Sequence, residues 1–260
     1  EVWGANNVGL YALPSGTGSG AGVWCHGLLP DYHAFRGSYG GYAFPLHDRR
    51  VGPEASNVSP QLIEGLSIAY GAPVSAPDVF DAMLCLLSAS TYTRRFAEDL
   101  EDVFPHIPFP ADPAVFTAAV AKGREIRAVE PFARDPKPPP KAFAKLASAT
   151  DDSPVAAVTW RAGEIALCGG DAGRITGIPA AVWDFAVSGY RLLPRWIEGR
   201  IGLPADLALV REFRDVAARI AELIELFGEA DTLLDATLGH TLTRAELGFD
   251  QPEGGDGDAD

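Results

Sequence analysis

Residues 136–168 read PKPPPKAFAKLASATDDSPVAAVTWRAGEIALC, and the change of pattern inside this stretch decides the fold class. Pro136-Lys-Pro-Pro-Pro140 is a stiff extended spacer, because proline fixes φ and cannot donate to a helix or ladder. Downstream of it, Val155–Trp160 and Glu164–Cys168 are short apolar runs on either side of Arg161-Ala162-Gly163, the pattern of two strands around a turn. Asp151 and Asp152 form a turn before the first run. Val182–Val187 reads as a further strand.

Upstream of the spacer the pattern is helical. Asp78 can cap a segment over 78–102, with Val79, Phe80, Met83, Leu84 and Leu87 at helical spacing. Ser88–Thr91 breaks it, since short hydroxyl side chains compete for backbone bonds. Tyr92, Phe96, Leu100 and Val103 then face inward, and Arg94–Glu98 and Arg95–Asp99 are i,i+4 pairs. Asp112-Pro113 opens another helix. Near the C-terminus, Leu207, Val210, Phe213, Val216, Ile220, Leu223, Ile224 and Phe227 make one apolar stripe over 206–227. A shorter helix spans 192–200, with Trp183, Phe185 and Trp196 in the core where it meets the preceding strand. The expected fold is α+β: a short-stranded mixed β-sheet plus a helical subdomain ending in a long C-terminal helix. The segments are 1–135, a mixed N-terminal part; 136–238, strands and C-terminal helices; and 239–260, an acidic tail expected to lack stable structure.

The bulk numbers bound the function. A chain of 260 residues, 47% hydrophobic and 22% charged, can build a sizeable core. No stretch reaches the roughly 20 apolar residues of a membrane span, and the start is not a signal peptide. Met83 is the only methionine, so the start reads as internal to a longer protein. Cys25, Cys85 and Cys168 are scattered, which fits a reducing cytoplasm and makes the Asn57-Val58-Ser59 sequon incidental. The net charge of -14 argues against a polyanionic partner, but it is unevenly spread. From Glu229 onward nine acids face one base, Arg244, leaving -6 of the -14 to residues 1–228. Phosphate contacts respond to local potential, so a basic face on an acidic chain still suffices for nucleic acid.

Motifs for chemistry are missing. The Gly/Ser stretch 14–22 lacks a following Gly-Lys-Ser/Thr and reads as a flexible turn rather than a phosphate cradle. Cys25-His26 has no partners at metal-ligand spacing, nor do His33 and His47. No nucleophile elbow occurs. Glu98, Asp99, Glu101 and Asp102 read as the solvated face of a helix.

Three stretches taken together resemble one family: SASTYTRRFAEDLEDVFPHIP over 88–108, VWDFAVSGYRLLPRWIEGR over 182–200, and the approach to Phe44-Pro45-Leu46 followed by Asn57-Val58-Ser59. In order and spacing they resemble the C-terminal specificity domain of type ISP restriction-modification enzymes. The second stretch, with Gly189-Tyr190, Trp196 and Arg200, is the most specific, and the likeness runs from about residue 23 to 235. Proteins of that family join a nuclease, an ATP-driven translocase, an adenine methyltransferase and a recognition domain in one chain. The methyltransferase signature and the Walker loop are missing here. The resemblance therefore implies a non-catalytic recognition fragment, with recognition loops on the sheet, no cofactor of its own, and two partners: double-stranded DNA and the methyltransferase domain of the same parent chain. A protein-interaction module docking on the methyltransferase is the alternative.

DNA recognition needs cations on phosphate and polar side chains on base edges. The densest basic run is Lys122–Lys145, seven bases against three acids. The candidates are Arg134, Lys137 and Lys141 in that run, Arg36, Arg49 and Arg50 in the aromatic loop around Tyr39 and Tyr42, Arg161 and Arg174 in later loops, and Arg191 beside the 192–200 helix. Asn occurs only at 6, 7 and 57, and Gln only at 61 and 251, so base readout is expected to use Arg, Lys, Asp, Glu, Ser and Thr. A DNA complex with several Asn or Gln side chains on bases contradicts this.

Overall fold

A computed structural model describes residues 3, 7–14, 18–30, 40–52, 55–101 and 104–249. Strands β1 (Gly9–Ala12), β2 (Val23–His26) and β3 (Tyr42–Pro45) come first. Helices α1 (Pro60–Tyr70), α2 (Ala76–Ser88) and α3 (Ser90–Arg95), a 3-10 turn (Asp99–Glu101) and α4 (Pro113–Val129) follow. Then come β4 (Lys145–Leu146), β5 (Glu164–Ala166), β6 (Arg174–Thr176), α5 (Ala180–Asp184), β7 (Ala186–Val187), β8 (Tyr190–Arg191), α6 (Leu192–Glu198) and α7 (Leu207–Gly239). The class is α+β with a long C-terminal helix, as expected. The strands form small antiparallel sheets in the orders β2-β1-β3, β4-β6-β5 and β7-β8.

Local chemistry explains most boundaries. Ser75 rather than Asp78 caps α2; Asp78 sits three residues in and returns the bond to the Ser75 N–H, closing a capping box. The break after Ser88 is present, with Ala89 in extended conformation. Asp112 caps α4, and Pro113 occupies its first turn. The expected i,i+4 pairs do not form, because α3 ends at Arg95 and Arg95 turns to Asp235 on α7 instead. Tyr92 and Leu100 are buried, while Val103 and the 250–260 tail lie outside the described residues.

Two expectations are corrected. Val182–Val187 is not one strand: α5 covers 180–184, starting after Pro179, and only Ala186–Val187 pairs. A short apolar run does not distinguish a buried strand from a one-turn helix. Val155–Trp160 builds no ladder: Val155 bonds Leu203 and Gly202, the Ala156 N–H bonds Leu167, the Trp160 indole donates to the Ile178 carbonyl, and Arg161 bridges Glu164 just beyond. Meanwhile α7 outruns its expected end at 227 by twelve residues, burying Ala230, Leu234 and Thr237 along the same stripe.

The buried residues fall into two clusters, and α7 serves both. Leu209, Val210, Phe213, Ala217 and Ile220 pack with Ile165, Ile175, Trp183 and Leu193. Further along, Leu223, Leu226, Phe227, Ala230 and Leu234 pack with β1, β2, α2 and α4. With 33 residues the helix is about 50 Å long. Gly20 joins the N-terminal strands to the β7–β8 hairpin: a Cβ there would stand 1.9 Å from the Ala186 carbonyl oxygen. Ser188 and Gly189 donate backbone bonds to Ala21 and Ser19. The part of the Gly/Ser stretch from residue 18 on is thus a fixed seam between backbones.

The tightest helix contact is between α2 and α4. Gly123 lets the backbones meet, since a Cβ would lie 1.7 Å from the Asp81 carbonyl oxygen. Fully buried Asp81 takes a two-pronged bond from Arg127, at 2.6 and 3.0 Å. Removing one partner of such a pair strands a buried charge. Arg127→Ala is expected to lower unfolding free energy by about 3 kcal/mol, and urea denaturation measures it; a loss under about 1 kcal/mol would assign the pair little weight.

Candidate nucleic-acid interface

The fate of each cation follows from what its element packs against. In the Lys122–Lys145 run, the first part is consumed inside the fold. Lys122 pairs with Glu125 and with Glu229 on α7. Arg124 and Arg127 meet Asp81. Arg134 donates to both carboxylate oxygens of buried Glu222 on α7, and the Lys137 backbone N–H adds a third bond at 2.9 Å. Arg219, nine-tenths buried, lies 4.2 Å above the Phe132 ring and donates to the carbonyls of Val129 and Arg134. Together Glu222 and Arg219 fasten the crossover 129–137 onto α7.

The later cations behave differently. In β4-β6-β5, Ile165, Ile175 and Leu146 point inward, so Lys145, Glu164, Arg174 and Thr176 share the outer face. Lys145 and Arg174 are exposed and have no carboxylate within ion-pair distance among the described residues. Glu164 lies on the same face, but Thr176 stands between it and Lys145 in the register, a separation of about 10 Å. Arg161 projects from the adjoining turn, where its N–H and carbonyl both bond Glu164, at 2.9 and 3.0 Å. The central residues Ala162 and Gly163 have φ of 50° and 90°, the signature of a two-residue hairpin turn. Lys141 is held beside the same end. Gly177 crosses the chain so closely that a Cβ would touch the Ala142 carbonyl oxygen at 2.1 Å, and the Ala144 N–H bonds the Gly177 carbonyl. Arg161 and Lys141 are exposed and without a carboxylate partner too. Lys145, Arg161 and Arg174 thus share one small sheet face with Glu164 and Thr176, and Lys141 lies beside its end.

Arg191, Arg195 and Arg200 are all stacked and all paired. Arg191 reaches Asp184 at 3.0 Å over Trp183, Arg195 reaches Glu198 at 3.0 Å over Tyr190, and Arg200 covers Trp196 at 3.6 Å and reaches Glu212 at 3.7 Å. Arg50 is held by Asp48 through two side-chain bonds, which draw the Asp48 carboxyl below its usual range. Arg49 sits in the same turn, and Arg36 lies outside the described residues. Among the described residues Arg94, Arg211 and Arg214 also have no carboxylate within ion-pair distance, but they are spread over α3 and α7.

Of the nine candidates the structure brings together Lys141, Arg161 and Arg174; Arg134 and Lys137 share Glu222 instead. Sequence reasoning passed over Lys145 as a contact, although the alternation Lys145-Leu146 marks an outward position. Two of the scarce amides are occupied: Asn7 bonds the His47 backbone, and Gln61 donates to the Gly248 carbonyl, whereas Asn57 is exposed. Among the described residues no group of three His, Cys, Asp or Glu could hold a metal, and no helix is long and apolar enough to cross a membrane.

The model of the type ISP C-terminal specificity domain family matches residues 1–226, and the chain belongs to that family. Solved structures share its fold. The cryoEM structure of a DrdV–DNA complex superposes with TM-score 0.60 at 21% identity, covering 88% of this chain and 24% of that one. The type ISP enzyme LlaBIII bound to DNA gives 0.62 at 16% identity, over 91% of this chain and 16% of that one. A nuclease-deletion mutant of the type ISP enzyme LlaGI with a DNA substrate mimic gives 0.57 at 17% identity, over 88% and 17%. The chain thus spans a quarter or less of these proteins. No curated protein matches it in sequence.

The Glu222 clamp has a pH signature. Burial works to raise the Glu222 carboxyl, but the Arg134 bonds and the Lys137 N–H outweigh it, and the net shift is downward. A carboxyl depressed in the folded state adds stability above its unfolded pKa of about 4.3 that is lost as pH falls through the folded value. Thermal melts between pH 3 and 6 should show a steeper acid loss for the native chain than for Glu222→Gln; equal slopes would remove the clamp from the account.

Proposed function

We propose that this domain reads a DNA target with the outer face of β4-β6-β5, as the specificity module of a larger cytoplasmic restriction-modification enzyme. The observation that carries this reading is the segregation of cations. Those of the crossover and α4 are spent on Asp81, Glu222 and Glu229, whereas Lys141, Lys145, Arg161 and Arg174 are left together on one exposed face. Unneutralised cations on a flat face are what backbone phosphate requires. Glu164 and Thr176, on the same face, are the polar groups placed to meet base edges. The family supports the reading, since such domains specify where the rest of the parent acts.

The domain carries no chemistry of its own in this proposal. The parent's remaining length supplies an adenine methyltransferase and an ATP-dependent translocating nuclease, and extrusion of the target adenine is the methyltransferase's work. This domain docks on that methyltransferase in the same chain.

Binding to duplex containing the target, titrated against salt, tests the sheet face. Each phosphate contact removed lowers the log–log salt slope by about 1. Arg174→Ala and Lys145→Ala should each show that drop, while Arg124→Ala, whose side chain faces Asp78 and Asp81, should leave the slope alone. Unchanged slopes for both sheet variants, or salt-independent binding, would favour a docking module without base readout.

A further inference from the structure

One transverse row on the outer face of β4-β6-β5 is more than a set of cations. Arg161 pairs with Glu164 across the hairpin turn, Glu164 with Thr176 across β5 and β6, and Thr176 with Lys145 across β6 and β4. Residues in register share a face, so the order across it is cation, carboxylate, hydroxyl, cation. The Glu164 carboxylate has no hydrogen bond or ion pair among the described residues. Yet Arg161 stands opposite it, joined by both backbone bonds, a pairing that sets Cα atoms about 5.5 Å apart. The Thr176 hydroxyl turns its proton to the Lys145 carbonyl, at 3.4 Å, and so offers lone pairs elsewhere. The middle of the row therefore presents acceptors and no donor. An open depression of about 330 Å³ adjoins both groups. Ala162, Gly163, Gly177 and Pro179 supply most of its other walls, which leaves the approach to Glu164 from that side clear.

Base edges differ in what they offer such a group. In the major groove guanine shows two acceptors, and thymine an acceptor and a methyl group. Adenine shows an amino donor beside the N7 acceptor, and cytosine its N4 amino group. A carboxylate is repelled by the first two, meets an attraction and a repulsion over adenine, and meets a donor alone over cytosine. We propose that Glu164, with Thr176 beside it, selects a cytosine in the DNA target by accepting from the N4 amino group of a base edge that enters this depression. The inference deepens the reading that this sheet face binds DNA, and rests on it. Lys145, about 10 Å from Glu164 across the ladder, falls over the flanking backbone of a groove about 12 Å wide. The carboxylate repels phosphate and so weakens binding to DNA at large. It adds discrimination, because a base without an amino group leaves it desolvated and unpaired.

The 260-residue chain is used to select duplexes from a randomised library. Binding is then measured on the selected duplex and on versions with each base pair replaced in turn, with circular dichroism to verify each variant's fold. The native chain is expected to require cytosine at one position, losing about tenfold or more in affinity for each other base there. Glu164→Gln should move that one position toward adenine, whose N6 and N7 a glutamine amide pairs with, and Glu164→Ala should relax it. Both variants should keep the preferences at the other positions. Arg161→Ala should lower the log–log salt slope by about 1 and keep the cytosine. Three results overturn the inference and leave the sheet face standing: salt-dependent binding that selects no sequence, a base other than cytosine at the position the variants alter, or Glu164 variants that bind every duplex more tightly with all preferences intact. Absence of salt-dependent duplex binding by the native chain overturns the DNA-reading proposal itself.

Discussion

The structure depends on one constraint: charges buried against α7 must be paired where they lie. Glu222 and Arg219 sit near the middle of that helix, both nearly out of solvent. Arg134 and the Lys137 backbone N–H answer Glu222, while Arg219 pairs with Asp215 on its own helix and also donates to the carbonyls of Val129 and Arg134. Leaving Glu222 unanswered costs several kcal/mol, so the 129–137 crossover is tied to the helix. The tie sits on α7 where its buried side chains pass from one cluster to the other, between Ile220 and Leu223.

That constraint also decides which cations are left for the proposed interface. An acidic chain neutralises most of its own cations, and the partners come from distant sequence: Arg127 and Asp81 are 46 residues apart, Arg134 and Glu222 88. Lys145 and Arg174 escape because the residues facing them across the β4-β6-β5 ladder are Thr176 and Ala166, while Arg161 meets its facing Glu164 through backbone bonds. Local positive potential on a chain of net charge -14 is thus a product of topology rather than of composition.

Much of the fold was legible, for reasons that can be named. Asp112-Pro113, the break at Ser88 and the Arg161-Ala162-Gly163 turn are decided by chemistry within a few residues, and sequence displays it. The stripe on α7 is long enough to be unambiguous, though its last turns need the first cluster to explain them. Val182–Val187 was too short to separate helix from strand. Helix α1 went unread although Ser59-Pro60, a cap followed by proline, announces it. The proposed interface was half legible: Arg161, Arg174 and Lys141 can be picked as cations, though Arg174 lies on β6 rather than in a loop, and nothing local tells them from Arg134, whose partner lies on another element.

The central claim is that DNA lies on the face whose cations the fold leaves unpaired. Amide hydrogen exchange of the chain with and without cognate duplex measures this without altering a residue. The account predicts slowed exchange in 141–147, 161–166 and 174–177, and none in 122–135. Protection confined to 122–135, with the sheet unchanged, would contradict it.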